Sequence, residues 1–122
     1  MKTIFVVDDN RTNLVMAEDA LSDQYDVVTL LSASIMFNVL NDVKPDLILL
    51  DIMMPEMDGY EALKRLKAEP EYANIPVIFL TGKSYAPTEA RRSQELGAID
   101  VIYKPFSKEA LLERIGSHLR ER

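Results

Sequence analysis

Five side chains that can take part in chemistry follow short apolar segments of this sequence: Asp8, Asp9, Asp51, Thr81 and Lys104. Carboxylates packed close together repel one another, by on the order of a few kcal/mol, unless a proton or a cation neutralises them. A hard divalent cation such as Mg²⁺ prefers oxygen ligands of this kind. With Mg²⁺ bound, Asp51 can act as a nucleophile toward a phosphoryl group, and Lys104 and Thr81 can pair with its oxygens. If folding gathers the five groups, the sequence predicts an aspartyl phosphate at Asp51.

Each of these residues also has a simpler structural explanation. Asp8, Asp9 and Asp51 can each cap the helix that follows. Thr81 can satisfy a loop amide, and Lys104 can be a solvated surface residue. Chance rarely places one such group at the end of each of four strands, so the joint pattern favours a functional site.

These residues need a scaffold that brings distant parts of the chain to one edge. Short runs of apolar, β-branched and aromatic residues predict five strands, at residues 3–7, 27–31, 47–50, 76–80 and 99–103. Between and after them, helical spacing and capping residues predict five helices. These start among residues 10–13, run over 36–43, 61–68 and 87–96, and extend from an N-cap at Ser107 to the terminus.

Strict alternation of strand and helix indicates an α/β fold with one five-stranded parallel sheet. We expect a flavodoxin-like, doubly wound (βα)5 arrangement with helices on both faces, forming a single domain over residues 1–122. In such a sheet the carboxyl ends of all strands share one edge, and ligands bind there. The five side chains would therefore converge.

Composition narrows the class of protein. A hydrophobic fraction of 48% and a charged fraction of 28% are typical of a soluble globular domain. No apolar run reaches the roughly 18 residues of a membrane span, and the start does not resemble a signal peptide. The chain has no cysteine, which excludes disulfides and thiolate metal sites. We expect a cytoplasmic protein.

The charge is unevenly distributed. Residues 1–82 carry 14 acidic and 6 basic side chains, whereas residues 83–122 carry 6 acidic and 8 basic ones. An acidic surface does not suit direct binding of nucleic acid, and it favours divalent cations as partners.

Four motifs together resemble a bacterial two-component response-regulator receiver domain, of the kind found in chemotaxis regulators. They are Val7-Asp8-Asp9-Asn10, the segment 50–59 (Leu-Asp-Ile-Met-Met-Pro-Glu-Met-Asp-Gly), Leu80-Thr81-Gly82 and Lys104-Pro105-Phe106. They occur in the family's order and approximate spacing, and the resemblance spans essentially the whole chain.

The resemblance implies a role for each motif. Asp51 would be the phospho-acceptor, taking its phosphoryl group from a histidine kinase or a histidine phosphotransfer protein. The implied Mg²⁺ ligands are Asp9, Asp51 and the backbone carbonyl of Met53, with Asp8 contributing through water. Thr81 would be the switch hydroxyl, Lys104 would pair with the phosphate, and the Lys104–Pro105 bond would be cis.

The implied function is a signalling switch. Phosphorylation would change the face formed by the fourth helix, fifth strand and fifth helix, and a downstream protein or fused output domain would bind there. Catalysis would be limited to the domain's own phosphorylation and dephosphorylation, so the chain is not expected to be an enzyme acting on other molecules. Whether it stands alone or belongs to a longer regulator is left open.

The sequence departs from the family pattern at the expected aromatic switch position and in one loop. Val101 stands where members commonly carry the Tyr or Phe of the switch, and Tyr103 faces the same side of the strand as Val101. The segment near residues 84–87 is about one residue longer than usual, which predicts an altered loop. Met53 and Lys83 occupy positions that tune the lifetime of the acyl phosphate.

Other functions on the same fold remain as alternatives. A non-phosphorylated interaction module would lose the switch but keep the scaffold. A flavodoxin-like electron carrier needs a hydroxyl- and glycine-rich phosphate loop, where this chain has acids. An aspartyl-nucleophile hydrolase usually carries a second acid where Met53 stands. His118, Arg91 and Arg92 are interpreted as surface residues.

Overall fold

The computed structural model describes residues 1–82 and 87–119, and within them five strands alternate with five helices. The strands are β1 (Thr3–Val7), β2 (Asp26–Leu30), β3 (Leu47–Asp51), β4 (Val77–Thr81) and β5 (Asp100–Tyr103). The helices are α1 (Arg11–Leu21), α2 (Ala33–Leu40), α3 (Gly59–Ala68), α4 (Pro87–Leu96) and α5 (Lys108–Leu119). None of the described helices combines the length and the apolar character that a transmembrane helix needs.

The five strands form one parallel sheet in the order β2-β1-β3-β4-β5. The predicted fold is therefore confirmed. β3 lies at the centre, with all five residues buried, and β1 and β4 flank it. Registers such as Val7 beside Leu50, and Asp51 beside Leu80, align the carboxyl ends of these strands.

The side chains of the sheet alternate between two hydrophobic cores. On one face Phe5, Ile48 and Phe79 pack with α2, α3 and the end of α4. On the other face, neighbours such as Ile4 and Leu49 pack with α1 and α5. A strand buried on both faces requires the continuous apolar runs that the sequence shows.

Several predicted boundaries are shifted by local hydrogen bonds. Helix α2 was predicted to reach residue 43 but ends at Leu40, because the amide of Asp42 turns to the carbonyl of Val39 and tightens the chain. Helix α3 begins two residues earlier than predicted, because the carboxylate of Asp58 accepts the amide hydrogen of Glu61 as an N-cap. Strands β2 to β5 each differ from prediction by one residue at an end, and β2 and β4 differ at both ends.

Helix α4 is the helix with the least buried surface. Ser93 is its one buried residue, in keeping with its weak apolar pattern. Arg92 is exposed, as interpreted from the sequence, but its guanidinium carbon lies 4.1 Å from the centre of the Tyr60 ring. Gly97 ends the helix with a φ of 107°, which favours glycine. The predicted loop change falls largely on residues 84–86, outside the described residues.

Helix α5 is held to the edge strand by an ionic cluster. Arg114 donates from Nη2 to Oδ1 of Asp100 at 2.6 Å and from Nε to Oδ2 at 2.9 Å. His118 Nε2 lies 3.0 Å from the same Oδ2, so the histidine interpreted as a surface residue is part of this cluster. Partial burial alone would raise the pKa of Asp100, but hydrogen bonds from Arg114, His118 and the Val101 amide outweigh it and lower the pKa to about 2.

Replacing Asp100 with Asn is expected to lower the free energy of unfolding at pH 7 by roughly 1 kcal/mol, because a bidentate ion pair is lost. A carboxyl whose pKa falls on folding stabilises the protein above its ordinary pKa of 3.8 and loses that effect as the pH falls toward 2. Urea denaturation at several pH values should therefore show the Asp100→Asn difference shrinking below about pH 4. Asp26→Asn, at the exposed start of the opposite edge strand, is the control and should change little; a pH-independent difference would contradict the ion-pair explanation.

Candidate functional site

The carboxylate of Asp51 lies at the centre of the site because β3 is the central strand. Asp51 is the last residue of β3 and is 3% exposed. The next amide, of Ile52, donates to the carbonyl of Leu80 on β4, so the chain stays in the sheet until it has passed Asp51. Its backbone position is therefore set by the most buried part of the fold.

Asp8 and Asp9 enter the site from the neighbouring strand. Asp8 directly follows β1, is fully buried, and donates its amide hydrogen to the carbonyl of Leu30 on β2. Asp9 is exposed. One carboxylate oxygen from each of Asp8, Asp9 and Asp51 lies within 4.8 Å of the others. The predicted convergence of the three carboxylates is thus observed.

Lys104 joins the two buried carboxylates. Its amide donates to the carbonyl of Thr81 at 2.7 Å, which fixes the end of β5 beside the end of β4. Its ammonium nitrogen lies 2.9 Å from Oδ1 of Asp51 and 3.1 Å from Oδ2 of Asp8. The Lys104–Pro105 bond is cis, as the resemblance implied.

Thr81 is the last residue of β4, is 5% exposed, and pairs in register with Tyr103. Val101 is half-buried and packs against the core that contains Phe79, whereas Tyr103 is 49% exposed. All five predicted residues therefore lie at one edge of the sheet. Their assigned functional roles, and the role of the Met53 carbonyl, stay predictions.

Two residues shape this site through contacts that the sequence analysis did not predict. Asn13, in the first turn of α1, donates from Nδ2 to Oδ2 of Asp8 at 3.2 Å. The backbone of Gly59 lies so close to Asp51 that a Cβ atom at residue 59 would lie 2.6 Å from the carbonyl oxygen of Asp51. The sequence offers Asn13 only as one of several candidate caps of α1, and the contact of its side chain with Asp8 depends on where α1 packs.

The electrostatics of the site show how closely these charges are coupled. Burial raises the pKa of Asp51 to about 6, against the lowering effect of the hydrogen bond from Lys104, and the charges of Asp8 and Asp9 add to the rise. Burial alone would lower the pKa of the Lys104 ammonium, but hydrogen bonds and charge from Asp51 and Asp8 outweigh it and raise that pKa. The carboxylates thus carry more negative charge than the single ammonium balances, and their contacts favour the charged form of that ammonium.

The donor set fits a hard divalent cation. Three ionised carboxylates and one ammonium leave two negative charges, which one divalent ion balances. Mg²⁺ binds oxygen at about 2 Å, so two of its ligands lie at most about 4 Å apart. The 4.8 Å cluster of Asp8, Asp9 and Asp51 is close to that span.

Comparison with known proteins identifies the family. The family model for the response regulator receiver domain matches residues 4–116. This chain belongs to the receiver-domain family of response regulators. Members of this family are phospho-accepting regulators of two-component systems, and they typically work as signalling domains rather than as enzymes.

Individual relatives agree with this assignment. The chain is 34% identical to the polar-differentiation response regulator DivK of Brucella ovis, covering 97% of this chain and 96% of DivK. It superposes on the chemotaxis response regulator CheY4 of Vibrio cholerae with a TM-score of 0.90, at 27% identity, covering 98% of this chain and 99% of that one. The receiver fold of this chain is therefore shared with single-domain regulators.

Other relatives are longer than this chain. It is 40% identical to a probable cyclic di-GMP phosphodiesterase of Vibrio cholerae, covering 98% of this chain but 27% of that protein. Four further relatives are covered over 48% to 52% of their length. The similarity is thus confined to a receiver segment of these proteins.

Replacing Gly59 with Ala is expected to lower the free energy of unfolding by roughly 1–3 kcal/mol, because the methyl group meets backbone atoms of Asp51 and Ile52 that must shift. Helix propensity acts in the opposite direction, by about 1 kcal/mol in favour of Ala, so a loss of stability points to the clash. Chemical denaturation measures the change. Gly82→Ala is the control, since no described heavy atom lies within 4 Å of its Cβ position; equal effects at both glycines would contradict the close-approach explanation.

Replacing Asp51 with Asn is expected to stabilise the protein in the presence of a chelator at pH 7.5, by roughly 1–3 kcal/mol. A carboxyl whose pKa rises on folding, here from 3.8 to about 6, favours the folded state below the lower value and loses that contribution as the pH rises through 6. The uncharged amide avoids this loss.

Urea denaturation from pH 4 to pH 7.5 should therefore show the stability gain of Asp51→Asn shrinking as the pH falls. Asp23→Asn, an exposed position in the turn after α1, provides the matched removal of one charge. A destabilised Asp51→Asn protein at pH 7.5 would contradict the expected sign.

Proposed function

We propose that this chain accepts a phosphoryl group on Asp51 from a phosphohistidine donor and acts as the switch of a two-component or phosphorelay system. The donor would be a histidine kinase or a histidine phosphotransfer protein. The observation that carries the proposal is the contact of one ammonium, on Lys104, with two buried carboxylates, on Asp8 and Asp51. A structural ion pair needs one carboxylate, whereas phosphoryl transfer needs a nucleophile and surplus negative charge for a cation.

In the proposed reaction a carboxylate oxygen of Asp51 attacks the phosphorus atom of the phosphohistidine. The new O–P bond forms as the N–P bond breaks, and the imidazole leaves with the electron pair of that bond and takes up a proton from water. Asp51 has a pKa of about 6, so it is mostly ionised at neutral pH and available as a nucleophile.

The surrounding side chains would receive the transferred group. Lys104 lies in the site with a charged ammonium and can pair with a phosphoryl oxygen. Thr81, buried at the adjoining strand end, can donate its hydroxyl hydrogen to another. The same groups would assist loss of the phosphoryl group to water, so catalysis would be limited to the chain's own phosphorylation and dephosphorylation.

Mg²⁺ is the proposed cofactor, held by Asp9, Asp51 and the Met53 carbonyl, with Asp8 acting through water. When bound, it neutralises negative charge on the carboxylates and on the incoming phosphoryl oxygens. Met53 is 76% exposed, which suits a side chain that controls access of water to the acyl phosphate.

The output surface proposed here is the face formed by α4, β5 and α5. Helix α4 buries only Ser93, so changing its position disrupts little packing, whereas α5 is tied to β5 through Asp100 and Arg114. Val101, which pairs in register with Phe79 two residues before Thr81, is smaller than the aromatic residue that members of the family commonly carry at this position. Movement of α4 would then present the signal to a downstream protein or a fused output domain. A cytoplasmic location remains a prediction from the sequence.

The proposal is tested by incubating the purified chain with acetyl phosphate and Mg²⁺ and measuring its intact mass. We expect an adduct of one phosphoryl group, lost when a chelator replaces Mg²⁺ and missing in Asp51→Asn. Asp23→Asn, which removes a carboxylate remote in sequence from the site motifs, should form the adduct normally. No adduct with acetyl phosphate or with a phosphorylated histidine donor would favour the non-phosphorylated interaction module instead.

A further inference from the structure

Asp8 is fully buried and receives three contacts on its two carboxylate oxygens. The amide of Asn10 donates to Oδ1 at 2.9 Å. On Oδ2, Nδ2 of Asn13 donates at 3.2 Å and Nζ of Lys104 lies at 3.1 Å. A buried carboxylate depends on such contacts, because losing them leaves a charge without solvation.

The two contacts on Oδ2 differ in kind. The ammonium of Lys104 is shared with Asp51, which it approaches more closely, at 2.9 Å. Asn13 is a neutral donor on a different element, the first turn of α1. Any group that draws Lys104 toward Asp51 therefore removes the ammonium contact of Asp8 but leaves the Asn13 hydrogen bond in place.

Asn13 is itself held in position by the end of the helix. Its amide donates to the side-chain oxygen of Asn10, the N-cap of α1, at 3.1 Å. The amide of Leu14 donates to the carbonyl of Asn10, which begins the helical hydrogen bonding. Asn13 is half-buried, so both its backbone and its environment restrict where the side-chain amide points.

We propose that Asn13 is a positioning residue for Asp8: its hydrogen bond to Oδ2 holds that carboxylate in its orientation toward the pocket, and so raises the affinity of the site for a divalent cation. This inference rests on the proposed function. A neutral amide is suited to this task, because a cationic side chain would cancel one of the two surplus negative charges that the cation needs. Partners that orient metal-binding carboxylates in this way commonly affect metal affinity strongly.

The inference is tested by titrating the chain with Mg²⁺ in a calorimeter. We expect Asn13→Ala to raise the Kd for Mg²⁺ about tenfold, the lower end for such partners because the bond is 3.2 Å long. Alanine is a favourable helix residue, so the variant should fold, and circular dichroism checks this. Asn13→Gln keeps the amide on a longer side chain and should recover part of the affinity.

Asn10→Ala is the matched control for loss of helix capping. Its side chain caps α1, whereas its contact with Asp8 is through the backbone amide, which the substitution keeps. We expect Asn10→Ala to lower the melting temperature more than Asn13→Ala but to raise the Kd less. A Kd increase as large as that of Asn13→Ala would assign the effect to the helix end and overturn the inference.

A double-mutant cycle with Lys104→Met measures how strongly the two contacts on Oδ2 of Asp8 depend on each other. Without the ammonium, Oδ2 of Asp8 depends on Asn13, so Asn13→Ala should raise the Kd by a larger factor in the Lys104→Met background than in the wild type. Equal factors in the two backgrounds would contradict the sharing of Oδ2.

The outcomes separate this inference from the function on which it rests. If the wild-type chain binds Mg²⁺ and forms the phosphoryl adduct while Asn13→Ala binds Mg²⁺ equally well, only the role of Asn13 is overturned. If the wild-type chain binds no Mg²⁺, the proposed metal site fails and the inference fails with it.

Discussion

The mutual repulsion of three neighbouring carboxylates, two of which contact the same ammonium, is the interaction on which the site depends. Asp8 and Asp51 are both buried, and both contact the same Lys104 nitrogen. At such separations each like-charge pair is unfavourable by on the order of several kcal/mol at an intermediate effective dielectric. Burial, together with the charges of Asp8 and Asp9, raises the pKa of Asp51, and contacts with Asp51 and Asp8 outweigh burial to raise the pKa of Lys104. The surplus of negative charge in such an arrangement favours the binding of a cation.

The carboxylates remain close because the fold leaves them little room to separate. β3 is buried along its whole length between β1 and β4, so Asp51 cannot withdraw without disturbing the central packing. Gly59 follows with its backbone against the Asp51 carbonyl, and its amide donates to the carbonyl of Ile52. The hydrophobic effect, acting on the sheet, thus holds in place an arrangement that electrostatics alone would disperse.

The two helices beside β5 differ in how firmly they are attached. α5 contributes Leu111, Ile115 and Leu119 to a core and carries the arginine that binds Asp100. α4 buries only Ser93, and the contact of Arg92 with the Tyr60 ring is of a kind that contributes only about 0.5–1 kcal/mol when exposed. The Tyr60 ring also packs edge-on against Phe79, two residues before Thr81. A change at the end of β4 therefore lies close to α4, the less firmly packed of the two helices beside β5.

The sequence by itself determined the ten elements, their parallel arrangement, and the edge at which Asp8, Asp9, Asp51, Thr81 and Lys104 meet. These follow from local information: apolar runs, helical spacing, and the rule that parallel strands end at a common edge. The receiver motifs added the family and the expected role of each residue. The bounds of α2 and the start of α3 were not predictable in the same way, because one hydrogen bond at an end can shift a boundary.

Only the tertiary structure decided which side chains touch. The hydrogen bond from Asn13 to Asp8, the packing of Gly59 on Asp51, and the stacking of Arg92 on Tyr60 each join residues on different elements. The same is true of His118, which a sequence pattern leaves on the surface and the fold places beside Asp100. Such contacts depend on distances between packed helices and strands, whereas sequence periodicity shows only which face of an element is buried.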